Sequence, residues 1–310
     1  MSQKQSQGGS QSQSQSQTTG QQEGRETKRL TINHRTRYAY RFPVQLQPHR
    51  LVLRPREGHD LKVLEHQLTI SPAAECVWSR DIFGNSITRA HFPEEKVEEL
   101  VIESHLVIER SVVARDPSVK MVQAENFEIA YDLMEQAVVN AYLKPVYPEE
   151  TEAMQNWFAQ LPHLNDFAGF HDYLEALCSE VHRRIDYRRR DEKGVQSPLT
   201  TINLGSGSCR DMATLMMETL RMQGLAARFA SGYLDCQATR AARGSTHAWT
   251  EAYLPELGWV GYDPTAGRAC GLQHVVIGTS HHPRGVMPIS GKFFGPSNAF
   301  SGLSVAVQFA

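Results

Sequence analysis

The sequence predicts an α+β protein: an N-terminal antiparallel domain of β-sandwich type, then a core in which a helix carrying a cysteine packs on an antiparallel sheet carrying a histidine and an aspartate. Three observations lead there. Between residues 30 and 113, short β-rich runs alternate with turn residues. From Cys209 onward, Met212, Leu215, Met216 and Leu220 recur at helical spacing up to Gly224, a residue suited to end a helix. Beyond it, Thr246–Leu254 and Trp259–Thr265 read as two strands around Pro255-Glu-Leu-Gly258.

Composition narrows the function. At 310 residues and 40% hydrophobic content, the chain is long enough for two compact domains, or one large domain with a tail. A formal net charge of -2, without a basic stripe carrying interleaved aromatics, argues against nucleic acid as a partner. No stretch approaches the ~18 apolar residues of a spanning helix. The Gln/Ser/Gly-rich start has no apolar h-region, so no membrane partner is expected and the cytoplasm is the expected address. Five cysteines, Cys76, Cys178, Cys209, Cys236 and Cys270, are odd in number and lack CxxC spacing. They read as reduced thiols, with no disulfide framework, no metal site and no cofactor implied.

Along the chain, residues 1–28 form a Gln/Ser-rich tail predicted to be disordered, because it cannot bury enough apolar surface to offset its ordering entropy. Residues 29–113 are the β-domain, expected to stand as an independent unit with strands at Leu30–Phe42, Arg50–Leu53, Leu61–Ser71, Cys76–Arg80, Ile87–Phe92 and Glu98–Glu109. Residues 114–165 are a helical connector. Between Asn126 and Pro145 its apolar face is Phe127, Ile129, Ala130, Leu133, Ala137, Val138 and Tyr142. Residues 166–310 are the core. Its first helix is expected from a cap at Asn165 or Asp166 to about Ile185, with Cys178 a buried thiol on its apolar side. Arg183-Arg184 and Arg188-Arg-Arg190 read as a solvated helix end. A strand over Ala227–Leu234, a polar loop over Asp235–Ser245 and a final strand over Leu303–Phe309 complete the core. His274 and His281-His282 complete no metal-ligand spacing and read as loop residues.

Cys209, His247 and Asp263 carry the chemistry, separated by 38 and 16 residues. A thiol is a strong nucleophile as thiolate, and a helix N-terminus and a neighbouring imidazolium both favour that form. Their roles would be nucleophile, proton exchanger and orienting carboxylate. His247 and Asp263 share a sheet face only if opposed residues have an even index sum. A turn closing Leu254 against Gly258 satisfies this; a four-residue loop does not. Glu251, on the His247 face, is the alternative third member. The Cys209 backbone N–H, free at a helix start, would serve an oxyanion hole. Asn203 has the right group for a second donor, although a turn is its more ordinary setting. Gly205-Ser-Gly207 lacks the Gly-Lys-Ser/Thr of a P-loop, and its glycines would let a substrate approach. Ser208 and Trp249 flank the nucleophile and the base as further positioning candidates, and Asp211 would complement the helix dipole.

Four blocks give this region a resemblance: Gly207-Ser-Cys209-Arg-Asp211, Leu220-Arg-Met-Gln-Gly-Leu-Ala-Ala-Arg-Phe-Ala-Ser-Gly-Tyr233, Thr246-His-Ala-Trp-Thr-Glu-Ala-Tyr253 and Gly258-Trp-Val-Gly-Tyr-Asp-Pro-Thr265. From about residue 165 to 270 the chain resembles a bacterial transglutaminase-like domain of the papain-like cysteine superfamily. The runs Tyr38-Ala-Tyr-Arg-Phe-Pro43, Leu53-Arg-Pro-Arg56 and Asp81-Ile-Phe-Gly-Asn85 are similar to the β-domain that often precedes such a core. The resemblance implies Cys209 as nucleophile, His247 as base and Asp263 as third member. It leaves peptidase, amidase and transferase activities open.

The leading expectation is an enzyme that transfers acyl groups from peptide or amide substrates through a thioester on Cys209, with water as acceptor. A true transglutaminase, in which an amine intercepts the thioester, is the alternative. A silent binding module is a third class, and its mark, a missing Cys, His or Asp, is not found here. Oligomeric state leaves no trace in these motifs.

Overall fold

In a computed structural model, the chain is described over residues 26–112, 129–235 and 246–310, apart from 168, 191, 193 and 256. The Gln/Ser-rich tail up to residue 25, the start of the connector and Cys236 lie outside the described residues.

The N-terminal strands are β1 (Glu26–Leu46), β2 (His49–Leu51), β3 (Leu61–Ser71), β4 (Glu75–Arg80), β5 (Ser86–His91) and β6 (Lys96–Val112). In β1 the ladder to β6 breaks between Ala39 and Val44, around Pro43, which has no N–H to donate. Helices α1 (Gln136–Leu143), α2 (Thr151–Phe158) and α3 (Phe170–Arg184) follow. Next come β7 (Asp186–Tyr187), α4 (Pro198–Leu204), β8 (Ser206–Gly207), α5 (Cys209–Met222), β9 (Ala227–Leu234), β10 (His247–Leu254), β11 (Gly258–Asp263), β12 (Arg268–Ala269) and β13 (His274–Ser280). The chain closes with β14 (Ile289–Ser290), β15 (Phe293–Phe294) and β16 (Phe300–Phe309). Among the described residues, no helix is long and apolar enough to cross a membrane.

Three layers result. One sheet holds β3, β6, β1 and, on the far side of β1, both β15 and β16; a second runs β14-β2-β5-β4. These two enclose Tyr40, Val44, Leu51, Leu53, Leu100 and Ile102. The third sheet runs β12-β11-β10-β9-β13 and is covered by α5 and α3, whose Met212, Leu215, Met216, Leu174 and Leu177 pack with Phe229, Ala248 and Tyr262.

Several sequence expectations are corrected. The 166–310 core is not continuous: its last strands return to the N-terminal sandwich, β14 pairing with β2, and β15 and β16 with β1. Nor is the β-domain independent. Tyr233, Val275 and Ile277 of the third sheet share one core with Leu30, Ile32, Leu106, Ile108 and Val307. Covered on both faces, all eight residues of β9 are buried. The Asp81–Asn85 turn clasps the two parts. Asp81 accepts from the Phe83 and Asn85 amides at 3.0 and 2.9 Å, and the Asn85 side chain donates to Thr279 O at 2.8 Å and accepts from Thr279 N at 2.9 Å.

The connector helix is shorter than expected, because Asp132 turns the chain by accepting from Met134 N at 2.7 Å. Leu133 and Val138 are exposed, and Val139 and Tyr142 make the buried face. A short 3-10 turn over Leu164–Asp166 delays α3, whose N-terminal cap is Gly169. The predicted stripe Phe170, Tyr173, Leu174, Leu177, Cys178 and Val181 is buried. Asn203 lies in α4 instead of a turn, and His274 opens a strand instead of a loop.

Candidate active site

The cysteine is presented by a short rigid loop. Gly205, at φ 57°, ends α4; β8 then pairs in parallel with β7, and Ser208 caps α5, whose first residue is Cys209. Asp211, fully buried, holds this arrangement: it accepts from Ser208 N and Ser208 Oγ at 2.8 Å each, from Arg190 Nε at 2.7 Å and Nη2 at 3.2 Å, and from Gln196 N at 2.7 Å. Burial alone would raise its pKa, but the Arg190 guanidinium and the amide donors bring it below the usual carboxylate value. Asp211 is therefore the post of the loop that presents Cys209, beyond any complement to the dipole. Arg190 likewise belongs to this loop, while Arg183 and Arg184 pair with Glu180 at 2.6 and 2.5 Å. A Cβ on Gly207 would lie 2.8 Å from Asp211 Cβ, so this glycine serves the packing of Asp211. Asn203 is exposed on α4.

The helix and the sheet are tied by Thr250, which donates from Oγ1 to Ala213 O of α5 at 2.7 Å. In the hairpin, Leu254 opposes Gly258 and Thr250 opposes Tyr262, which is the even-sum register. His247 and Asp263 accordingly meet across the strands, with Nε2 and Oδ2 2.8 Å apart. Both are buried, at 2% and 0% exposure. Gly232 pairs with His247 on the other side; a Cβ there would come within 2.5 Å of the Trp249 ring. Glu251 is committed elsewhere, to Arg228 at 2.7 Å.

Sequence reasoning missed a second imidazole. His274 Nε2 lies 3.1 Å from the same Asp263 Oδ2. Its Nδ1 accepts the Gly271 N–H at 3.2 Å, which leaves the ring proton on Nε2, as a donor to Asp263. The other carboxylate oxygen accepts from Thr265 N at 2.9 Å. No spacing rule links residues 263 and 274, so only the pairing of β13 with β9 brings His274 here. Trp249, 1% exposed, stands edge-on to His274 at 5.2 Å between centroids and tilted against His247 at 6.2 Å. It thus packs the imidazoles from within.

These contacts set the charges. Burial alone would lower the His247 pKa, yet the Asp263 carboxylate, and after it the Cys209 thiol, bring it up to about 10. The carboxylate contact thus favours the protonated ring. Asp263 moves the opposite way: burial would raise it, and the charge and N–H of His247, with His274, hold it well below the usual carboxylate range. His247 Nδ1 is buried without a hydrogen-bond partner among the described residues, so the half-buried Cys209 acts on the ring without full hydrogen-bond geometry.

Ligand atoms of His247, Asp263 and His274 all lie within 4.8 Å of one another, close enough to suggest a cation. The Gly271 contact opposes that reading, because a neutral His274 with its proton on Nε2 offers no lone pair there.

Two family descriptions match the chain: the bacterial transglutaminase-like N-terminal region over residues 30–109 and the transglutaminase-like superfamily over residues 165–264. The chain belongs to the bacterial transglutaminase-like family. The uncharacterised protein Rv2569c of Mycobacterium tuberculosis is 29% identical over 292 residues, covering 86% of this chain and 87% of the relative. The uncharacterised protein ML0607 of Mycobacterium leprae is 24% identical, covering 86% and 94%. A candidate cysteine protease of Cytophaga hutchinsonii superposes with a TM-score of 0.69 at 16% identity over 92% of each chain, a likeness of fold.

Proposed function

We propose that the chain is a cysteine enzyme that transfers an acyl group through a thioester on Cys209 and hydrolyses a peptide or amide bond. The observation that carries this reading is His247: Nε2 is held on Asp263, while the buried Nδ1 is left without a hydrogen bond and Cys209 acts on the ring. The Cys209 thiolate attacks the carbonyl carbon, and the Cys209 N–H, which has no intrahelical partner, faces the developing oxyanion. His247 gives its proton to the leaving amine, then takes one from the water that opens the thioester. Asp263 keeps the tautomer and offsets the charge. A peptide, or an amide within a protein, is the expected substrate.

The test is intact-mass measurement of the chain with a glutaminyl peptide library, offering water and a primary amine in turn. A thioester adduct on Cys209 resolved by water supports the proposal; resolution by amine alone replaces hydrolase with transglutaminase. Cys209→Ala should form no adduct and release no product while melting like the parent. Full turnover in that variant would end the proposal.

A further inference from the structure

We propose that His274 is a positioning residue for this site, a fixed neutral donor that holds the Asp263 carboxylate in place for His247. The inference rests on the reading of Cys209, His247 and Asp263 as the reacting set.

The geometry is specific. One oxygen of Asp263 takes two imidazole N–H groups, from His247 at 2.8 Å and His274 at 3.1 Å. The other takes the Thr265 and Ala266 amides, at 2.9 and 3.4 Å. A carboxylate pinned at both oxygens can neither rotate away from His247 nor pick up a proton readily. His274 cannot change its role by switching tautomers, because the Gly271 N–H occupies Nδ1. Its surroundings keep it neutral: burial lowers its pKa, and the His247 and Arg110 charges act in the same direction against the pull of Asp263. The groups facing Asp263 are His247 from β10, His274 from β13, Cys178 from α3 and Cys270 from the turn before β13, with Arg110 of β6 beside His274 and Cys270. Neither the buried Cys178 nor the part-exposed Cys270 sets a second anion beside the carboxylate, since desolvation pushes both thiols upward. His274 is thus the neutral donor in the set, and it stands on the strand that leads into the return to the N-terminal sandwich.

The test compares the full chain with His274→Phe, His274→Gln, Asp263→Asn and His247→Ala, using the rate of Cys209 alkylation by iodoacetamide as a function of pH, turnover on whichever glutaminyl peptide reacts, and thermal melting. Loss of one donor frees the Asp263 carboxylate to rotate and so weakens its hold on the His247 cation. In His274→Phe the acid limb of the alkylation profile should therefore move up by about one pH unit. kcat should fall roughly 10- to 100-fold with KM unchanged, the effect typical of groups that orient a reacting histidine. His274→Gln, which can place an N–H near the former Nε2, should restore most of both. A profile unchanged in His274→Phe but shifted in Asp263→Asn overturns the role of His274 alone. Profiles unchanged in Asp263→Asn and His247→Ala overturn the underlying triad. Should His274→Phe fail to fold, imidazole nitrogen shifts of the parent decide: His274 neutral with its proton on Nε2 from pH 5 to 8 is the expected result, and a cation or the Nδ1–H tautomer refutes it.

Discussion

At the scale of single residues, the buried His247–Asp263 pair should leave a mark on stability as well as on rate. Folding raises the His247 pKa from its ordinary 6.5 to about 10, so its contribution is fully present below pH 6.5 and fades as pH climbs toward 10. Folding lowers the Asp263 pKa from its ordinary 3.8, so its contribution is fully present above that value and is lost as pH falls through the folded value. Thermal melting against pH should peak between about pH 4 and 6.5. Asp263→Asn should flatten the alkaline slope and lower turnover by on the order of 10⁴. Cys209 should be the fastest described thiol to alkylate near neutral pH, because it is part-exposed beside an imidazolium, whereas Cys178 and Cys270 are pushed up by burial. Peptide mapping after limited iodoacetamide treatment reads the order, and a faster Cys76 would remove the activation argument.

Secondary-structure elements are placed by a few buried polar anchors. At the start of α5 the anchor is Asp211. At its far end Arg221, fully buried, pairs with Glu218 at 3.0 Å and donates to the carbonyls of Ala227 and His281 at 2.8 Å each. Asp211→Ala should cost about 3–5 kcal/mol by leaving Arg190 with only the exposed Glu192 as partner and the Ser208 and Gln196 amides unsatisfied. The same change should slow Cys209 alkylation, since the loop that presents the thiol loosens. Denaturant unfolding and alkylation rate together check this; an unchanged alkylation rate in a destabilised variant would confine Asp211 to the fold.

For the whole molecule, the shared core joins sandwich and site sheet into one cooperative unit. Asn85→Ala would strip Thr279 N and O of their partners across the junction, at about 1–3 kcal/mol for each unsatisfied group. Unfolding of the parent should show one transition by calorimetry. Deleting residues 300–310 should abolish it, because β1 loses the strand that pairs Ile32–Tyr40 and Val307 leaves the core around Tyr233 and Val275. Two separate transitions in the parent would mean that the two parts fold apart.

The sequence by itself determined the local chemistry. Periodicity marked α5, alternation marked β9 to β11, and Pro255–Gly258 marked a hairpin, because these signals depend on near neighbours in the chain, whereas the register that brings His247 onto Asp263 stood open between two turn closures until the strands paired. The starts of α1 at Gln136 and α3 at Phe170 were harder, since the side-chain-to-backbone bond of Asp132 and the 3-10 turn over Leu164–Asp166 compete with a helix there. What only the tertiary structure decided was long-range: the return of β14 to β16 to the first sheet, the clasp of Asn85 on β13, the use of Asp211 by Arg190, and the arrival of His274 on Asp263. Each joins residues whose relation is set by strand pairing between distant segments, and no periodicity within a single segment records which partner it will meet.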